Sequence, residues 1–471
     1  MSATLASPGP QDGLYGGARY RAMFAVAVSV MLSVLDYAVV NVALPTIAQD
    51  VHTSASSAIW VVNAYQLASL ISLLPLAAMG DRVGHARMCR IGLVLFVIAS
   101  VLCASSRTLP ELAAARALQG FGGACIMSVN VALVRFIYPS SELGRGIALN
   151  GLVVALGVAL GPTVAAGVLS VAGWQWLFLI NLPLGGLALY FAVTALPATP
   201  LIRGEFDFIS TVLLAAGLGA LIIGLDSFAH NSGVVLALVL LIVGGGSMVV
   251  LVRIQLGRAD PLVPVDLLAR SGFRTAFLVG FLGFAASNFF IISMPFNLMN
   301  VLHRGPVMTG LLMTPWALSI VLVAPVVGRL SDRYPASVLS TAGLCIAGLG
   351  FLLIRLVPVH PTDFDIIWPI VVAGVGFGLF QPPNNKAMIT TAPKLRTGSA
   401  SGMISVARLF GQTVGGMMVA LILGLVAHGA VYTCLSLGSF TAFVAAALSG
   451  TRIRLRQDQK DRPGLTAMDP E

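Results

Sequence analysis

Blocks of about 20 apolar residues recur along the whole chain, separated by short charged or Pro/Gly-rich connections. A helix rises 1.5 Å per residue, so each block can cross a hydrocarbon core of about 30 Å. Fourteen such spans are expected, near 22–44, 57–79, 88–106, 110–136, 147–171, 174–196, 208–228, 233–253, 273–299, 307–328, 337–357, 366–389, 399–426 and 429–449. Of the 471 residues, 57% are hydrophobic and only 10% charged, against roughly 25% charged in a soluble domain. A water-facing surface cannot be covered from that supply. The chain is expected to be an all-α integral membrane protein in a lipid bilayer.

The net charge of +9 could suggest a nucleic-acid partner, but its distribution argues against one. With the N-terminus inside, 22 Lys and Arg residues fall in loops on that side, from Arg19 and Arg21 to Arg462. Three, Arg107, Arg304 and Arg355, fall on the other, and Arg116 and Arg408 lie within spans. This is the positive-inside pattern, and it places both termini in the cytoplasm. Only three of the 27 basic residues are lysine, which hints at a GC-rich bacterial genome and so at a bacterial cytoplasmic (inner) membrane. The first 18 residues lack a charged n-region and cleavage site and read as a cytoplasmic tail. Five cysteines stand singly, without CxxC spacing, so neither a disulfide framework nor a metal site is indicated. No GxxxxGKS or GxxxxGKT loop is present, so the expected energy source is a proton gradient, with no cofactor. No nucleophile or metal constellation suggests an enzyme.

Gly80-Asp81-Arg82-Val83-Gly84 follows the second span and Gly328-Arg329-Leu330-Ser331-Asp332-Arg333 the tenth. Both Asp-Arg pairs close the second helix of a six-helix set if the seventh and eighth spans are an insertion. The expected division is a tail (1–21), a six-helix bundle (22–200), two inserted helices (201–255), a second six-helix bundle (256–450) and a basic tail (451–471). Repeated halves are a common way for a transporter to hold a central site that opens to either side.

Here the sequence resembles the major facilitator superfamily, in particular its fourteen-helix drug:proton antiporter branch. Leu35-Asp36-Tyr37-Ala38-Val39-Val40-Asn41-Val42-Ala43-Leu44-Pro45 is similar to a first-helix motif of that branch, with Ala38 where Thr is usual. Asp81-Arg82-x-Gly84 fits the superfamily loop motif, with His85 where a basic residue is usual. Arg116-Ala117-Leu118-Gln119-Gly120-Phe121-Gly122 and Gly157-x-x-x-Gly161-Pro162-x-x-x-Gly167 resemble the fourth- and fifth-helix motifs, and Trp174 through Pro183 adds a further branch-like stretch. The resemblance implies a major facilitator fold of two six-helix bundles plus two helices. It also implies proton coupling through Arg116 and a bend at Gly157, Gly161, Pro162 and Gly167 that seals the cavity on one side.

Asp36 is the acid deepest within a span, where an ionised side chain costs about 2.5–3.5 kcal/mol and calls for a partner or a function. Asp36 lies about 12 Å and Arg116 about 9 Å from the same end of their spans, so the two share a depth and are expected to pair. Asp36 would alternate between a proton and a substrate or Arg116 contact. Asn41 and Gln119 would extend the network. Arg408 has no deep acid left to pair with. It is expected to bond Gln412, helix-12 groups such as Gln381 or Asn384, or the substrate. Trp60, Tyr65, Phe289, Phe290 and Trp316 either stack on an aromatic cation or simply pack. The Asp81-Arg82-Gly84 and Asp332-Arg333 loops would latch helix ends.

The expected function is proton-coupled antiport, as a monomer, of hydrophobic and by preference cationic drugs or toxic compounds. A monovalent cation would then exchange for one proton with almost no net charge movement. Export of one endogenous metabolite and a non-transporting membrane sensor are the alternatives.

Overall fold

The computed structural model describes residues 13–201, 206–229, 233–258, 261–358, 360–393, 396–426 and 428–461. Arg203, His230, Lys394 and Arg462 lie outside the described residues. Among the described residues fourteen helices are long and apolar enough to cross a membrane: α1 Gly16–Asp50, α2 Ala55–Val83, α3 His85–Ser105, α4 Leu109–Ile137, α5 Leu143–Leu169, α6 Gln175–Ala195, α7 Phe208–Ser227, α8 Val234–Leu256, α9 Ser271–Val301, α10 Pro306–Arg333, α11 Ala336–Arg355, α12 Asp363–Thr391, α13 Gly398–Leu425 and α14 Ala430–Ile453.

Helix hydrogen bonding does not stop at the lipid edge, so several helices outrun their apolar cores. α1 begins at Gly16, inside the segment expected as a tail, and α14 continues as helix to Asp461. Polar side chains set the starts. Ser54 accepts from the Ser57 amide ahead of α2, Thr108 from the Glu111 amide ahead of α4, and Thr362 forms a reciprocal capping box with Asp365 ahead of α12. Gly84, at φ +100°, makes the turn between α2 and α3, a backbone setting that L side chains rarely adopt. Asp207 precedes α7. Burial would raise its pKa, but hydrogen bonds from Ser210 and Gln255 and the charge of Arg258 hold that pKa below the usual carboxylate range. Gln255 and Arg258 belong to the far end of α8 and the residues after it, so this carboxylate ties the ends of the α7–α8 hairpin together.

The repeat in the loops is also a repeat in the packing. α1 packs on α5 and α6, α2 on α4, α3 on α4 and α6; their counterparts α9 on α13 and α14, α10 on α12, α11 on α12 and α14 do the same. Between the halves α1 meets α9, and the equivalent pairs α5–α10 and α2–α13 complete the seam. α7 packs on α8 and against α2 and α13, outside the two six-helix sets. The arrangement is two six-helix bundles plus two inserted helices.

Call the end that carries the Asp81 and Asp332 loops the basic end. At the opposite end the halves are tightly joined. A side chain at Gly310 would strike the Pro162 carbonyl and Ala166, the Thr163 and Thr314 hydroxyls lie 3.0 Å apart, and Ser56 donates to the Ala420 carbonyl at 2.9 Å. Toward the basic end, Gly144 and Gly151 of α5 and Gly328 of α10 have no atom within 4 Å of a would-be Cβ.

Candidate functional site

Arg116 and Gln119 stand three residues apart on α4, so both project toward α1. Arg116 Nη1 donates to Asp36 Oδ2 at 2.5 Å and to Gln119 Oε1 at 2.6 Å. Gln119 Nε2 donates to Asp36 Oδ1 at 2.8 Å and to Ser100 Oγ of α3 at 2.9 Å. A further donor arrives from α6, whose helix is interrupted at Ile180. Directly after the break, Asn181 Nδ2 donates to Asp36 Oδ1 at 2.8 Å and to Ser100 Oγ at 3.3 Å. Arg116 Nε donates to the Val61 carbonyl at 2.9 Å, and its guanidinium lies 4.4 Å from the centre of the Tyr65 ring. Asp36 is 2% exposed and Arg116 0%.

Five helices thus enclose one compensated ion pair. Removing one partner of such a pair typically costs about 3–5 kcal/mol, because the other is left charged and dry. Three hydrogen bonds on the Asp36 carboxylate use its lone pairs well and leave it out of contact with water in this conformation. A proton can reach it only if these helices part.

A second polar cluster spans the seam between the halves. The Tyr37 hydroxyl donates to Asn288 Oδ1 of α9 at 3.0 Å, and Asn288 Nδ2 donates to the Gln412 carbonyl of α13 at 2.6 Å. Asn41 Nδ2 donates to the Tyr37 carbonyl at 2.7 Å. Asn41 and Gln66 also border the Tyr37 hydroxyl, and Arg408 shares an electrostatic environment with Tyr37 and Tyr65. Arg408 is partly buried and makes no hydrogen bond or ion pair with any described residue.

The residues read from the sequence therefore separate into different places. Asp36, Arg116 and Gln119 form the dry site, and Asn41 and Arg408 the seam. Gln119 belongs to the Asp36 network. Asn384 is turned away from Arg408: its Nδ2 donates to the Ala276 carbonyl at 2.9 Å and its Oδ1 accepts from Arg452 at 3.3 Å. Gln381 makes no hydrogen bond with a described residue, and Gln412 meets Asn288 through its backbone. Of the five aromatics, Phe290 and Trp316 stack with Phe351 in the second half, and Tyr65 lies against Arg116. Phe289 is buried in the core. Asn181, Ser100 and Tyr37 were not singled out as site residues. The signal for Asn181 was its place in the Trp174–Pro183 stretch.

Gly157 faces Val34 and Met31 of α1, and Gly161 lies directly against Ala38, so the residue that replaces the usual Thr supplies the surface for that approach. Pro162 meets Gly310 across the seam, while Gly167 faces open space. At the basic end Asp81 pairs with His85 at 3.1 Å, and Arg82 donates to the Ala78 carbonyl at 2.5 Å and lies over the Phe206 ring. Asp332 lies 3.9 Å from Lys386, and Arg333 is exposed. As arranged here, these two loops bind within their own halves and to the connection after α6.

The Major Facilitator Superfamily family model matches residues 26–416 and 276–465. The chain belongs to that superfamily and is a multi-pass membrane transporter. It is 44% identical over 447 residues to YebQ of Escherichia coli K12, described as an uncharacterized transporter, with 94% of this chain and 97% of that one covered. It is 28% identical to the riboflavin transporter RibZ of Clostridioides difficile, covering 83% and 85%. It is 30% identical to the multidrug efflux pump LfrA of Mycolicibacterium smegmatis, covering 84% and 79%. Among solved structures, a POT family transporter in complex with a thioalcohol-conjugated peptide superposes with a TM-score of 0.73 at 16% identity, covering 95% of this chain and 98% of that one. That likeness is one of fold.

Proposed function

We propose that the chain is a proton-coupled antiporter that exports hydrophobic, potentially toxic compounds by alternating access across a bacterial cytoplasmic membrane, as a monomer with both termini inside. The observation that carries this reading is the buried Asp36–Arg116 pair, held by Gln119 and Asn181 beside the seam. The basic end faces the cytoplasm, from which substrate enters. Rocking of the halves opens the other end, α1 and α4 give way, and a proton from outside neutralises Asp36. Its hold on Arg116 then weakens, so the protonation state and the packing of the first half are linked. The glycine approach of α5 to α1 transmits that change toward α10.

The multidrug efflux pump among the relatives supports a toxic-compound substrate, and the riboflavin transporter keeps export of a single metabolite as a second reading. The cationic preference expected from the sequence rested on Asp36, which here is committed to Arg116. A pump-deficient bacterium expressing the chain should survive higher doses of some hydrophobic compounds. Asp36→Asn at equal membrane abundance should abolish the protection. Protection that survives in Asp36→Asn, or none across a broad panel, would remove this reading.

A further inference from the structure

Among the described residues three charges sit well inside the spans: Asp36, Arg116 and Arg408. Asp36 and Arg116 neutralise each other, which leaves the seam with one net positive charge on Arg408. No carboxylate among the described residues pairs with it. A cation within a membrane span without a counter-ion is costly, and such residues mark substrate or ion pathways.

The surroundings of Arg408 are equally incomplete. Gln66 is 1% exposed, yet neither its oxygen nor its nitrogen makes a hydrogen bond, and Asn41 Oδ1, on a residue 2% exposed, lacks a donor. Both border the Tyr37 hydroxyl, which also ties α1 to α9 through Asn288. Buried amides normally find partners. The unmade bonds and the unmade ion pair lie together, between α1 and α2 of one half and α9 and α13 of the other. A site shared by both halves is where a molecule can be passed from one side to the other.

We propose that this seam cluster is the substrate site and that it selects amphipathic organic anions. A carboxylate or similar anionic head group sits on Arg408 and accepts from the Gln66 amide nitrogen. A hydroxyl or N–H of the same molecule donates to Asn41 Oδ1 or Gln66 Oε1. The guanidinium repels a cationic head group at the same position. The assignment rests on the reading of the chain as an exporter and adds the charge of what it carries.

The test is equilibrium binding to the full-length protein in detergent, using three probes with one aromatic body: 1-naphthaleneacetate, its neutral amide, and 1-naphthylmethylammonium. The acetate should bind about tenfold tighter than either of the others, a modest return for one charge pair out of bulk water. Arg408→Gln should bring the acetate to the level of the amide, and Arg408→Lys should keep the preference for the anion. Equal binding of all three, a preference for the ammonium, or binding of none overturns the proposal, and that comparison needs no variant to fold. Binding at equilibrium needs no proton gradient. A failure here leaves proton-driven export standing, and a failure of proton-driven export leaves an observed anion preference standing.

Discussion

The two halves share one packing plan and differ in how they treat charge. In the first half Arg116 is fully buried with an acid, two amides and an aromatic ring around it. In the second, Arg408 stands on the seam side of α13 with no bonded partner among the described residues. The first half thus holds a closed circuit of charge and the second an open one. In the account given above, the closed circuit exchanges a proton and the open one meets the substrate. Tyr65 faces Arg116 and lies in the field of Arg408.

The contrast is broken most easily by removing each cation in turn. Arg116→Ala strands Asp36 in a dry site and should cost about 3–5 kcal/mol, read as a large fall in thermal stability in detergent. Arg408→Gln removes a charge that nothing compensates and should leave stability unchanged or raise it slightly. If Arg408→Gln destabilises as much as Arg116→Ala, Arg408 has a structural partner and the contrast fails.

A smaller effect sharpens the role of α5. Gly161→Leu would push α5 off Ala38 of α1, an overpacking that costs about 1–3 kcal/mol, and transport should be lost with insertion largely intact. Gly167, in the same motif, faces open space, so Gly167→Leu should transport normally. Equal activity in both variants would reduce the motif to ordinary close packing.

Depth was legible in the sequence and azimuth was not. The fourteen spans follow from apolar length, and the meeting of Asp36 with Arg116 follows from counting residues to a common end. Which way a residue faces around its helix is not coded in the same way. A membrane helix is apolar toward lipid and toward its neighbours alike, so polarity does not mark an inner face. Asn384 was therefore one of several partners open to Arg408, whereas it turns to α9 and α14. Arg452, counted as a loop charge, reaches back to bond it. Asn181 was hidden for another reason. Its delivery to Asp36 depends on the interruption of α6 at Ile180, where Pro183 has no N–H to offer the Leu179 carbonyl four residues back; the proline announces a break but not which side chain it turns inward.

Anion export and cation export also differ in what drives them. A monovalent cation exchanged for one proton moves almost no net charge. A monovalent anion sent out against an incoming proton moves two charges, each worth about 2.3 kcal/mol per 100 mV. Voltage alone would then accelerate the anion exchange and leave the cation exchange nearly unchanged.

The claim beneath all of this is that Asp36 is the proton carrier. The measurement is substrate and proton flux in liposomes containing the purified chain, with a pH gradient imposed at zero voltage. The wild type should concentrate substrate against its gradient, with proton release on the opposite side. Asp36→Asn, which keeps the size but cannot ionise, should do neither. If Asp36→Asn still pumps uphill on the pH gradient, the proton travels through another group and the account is wrong.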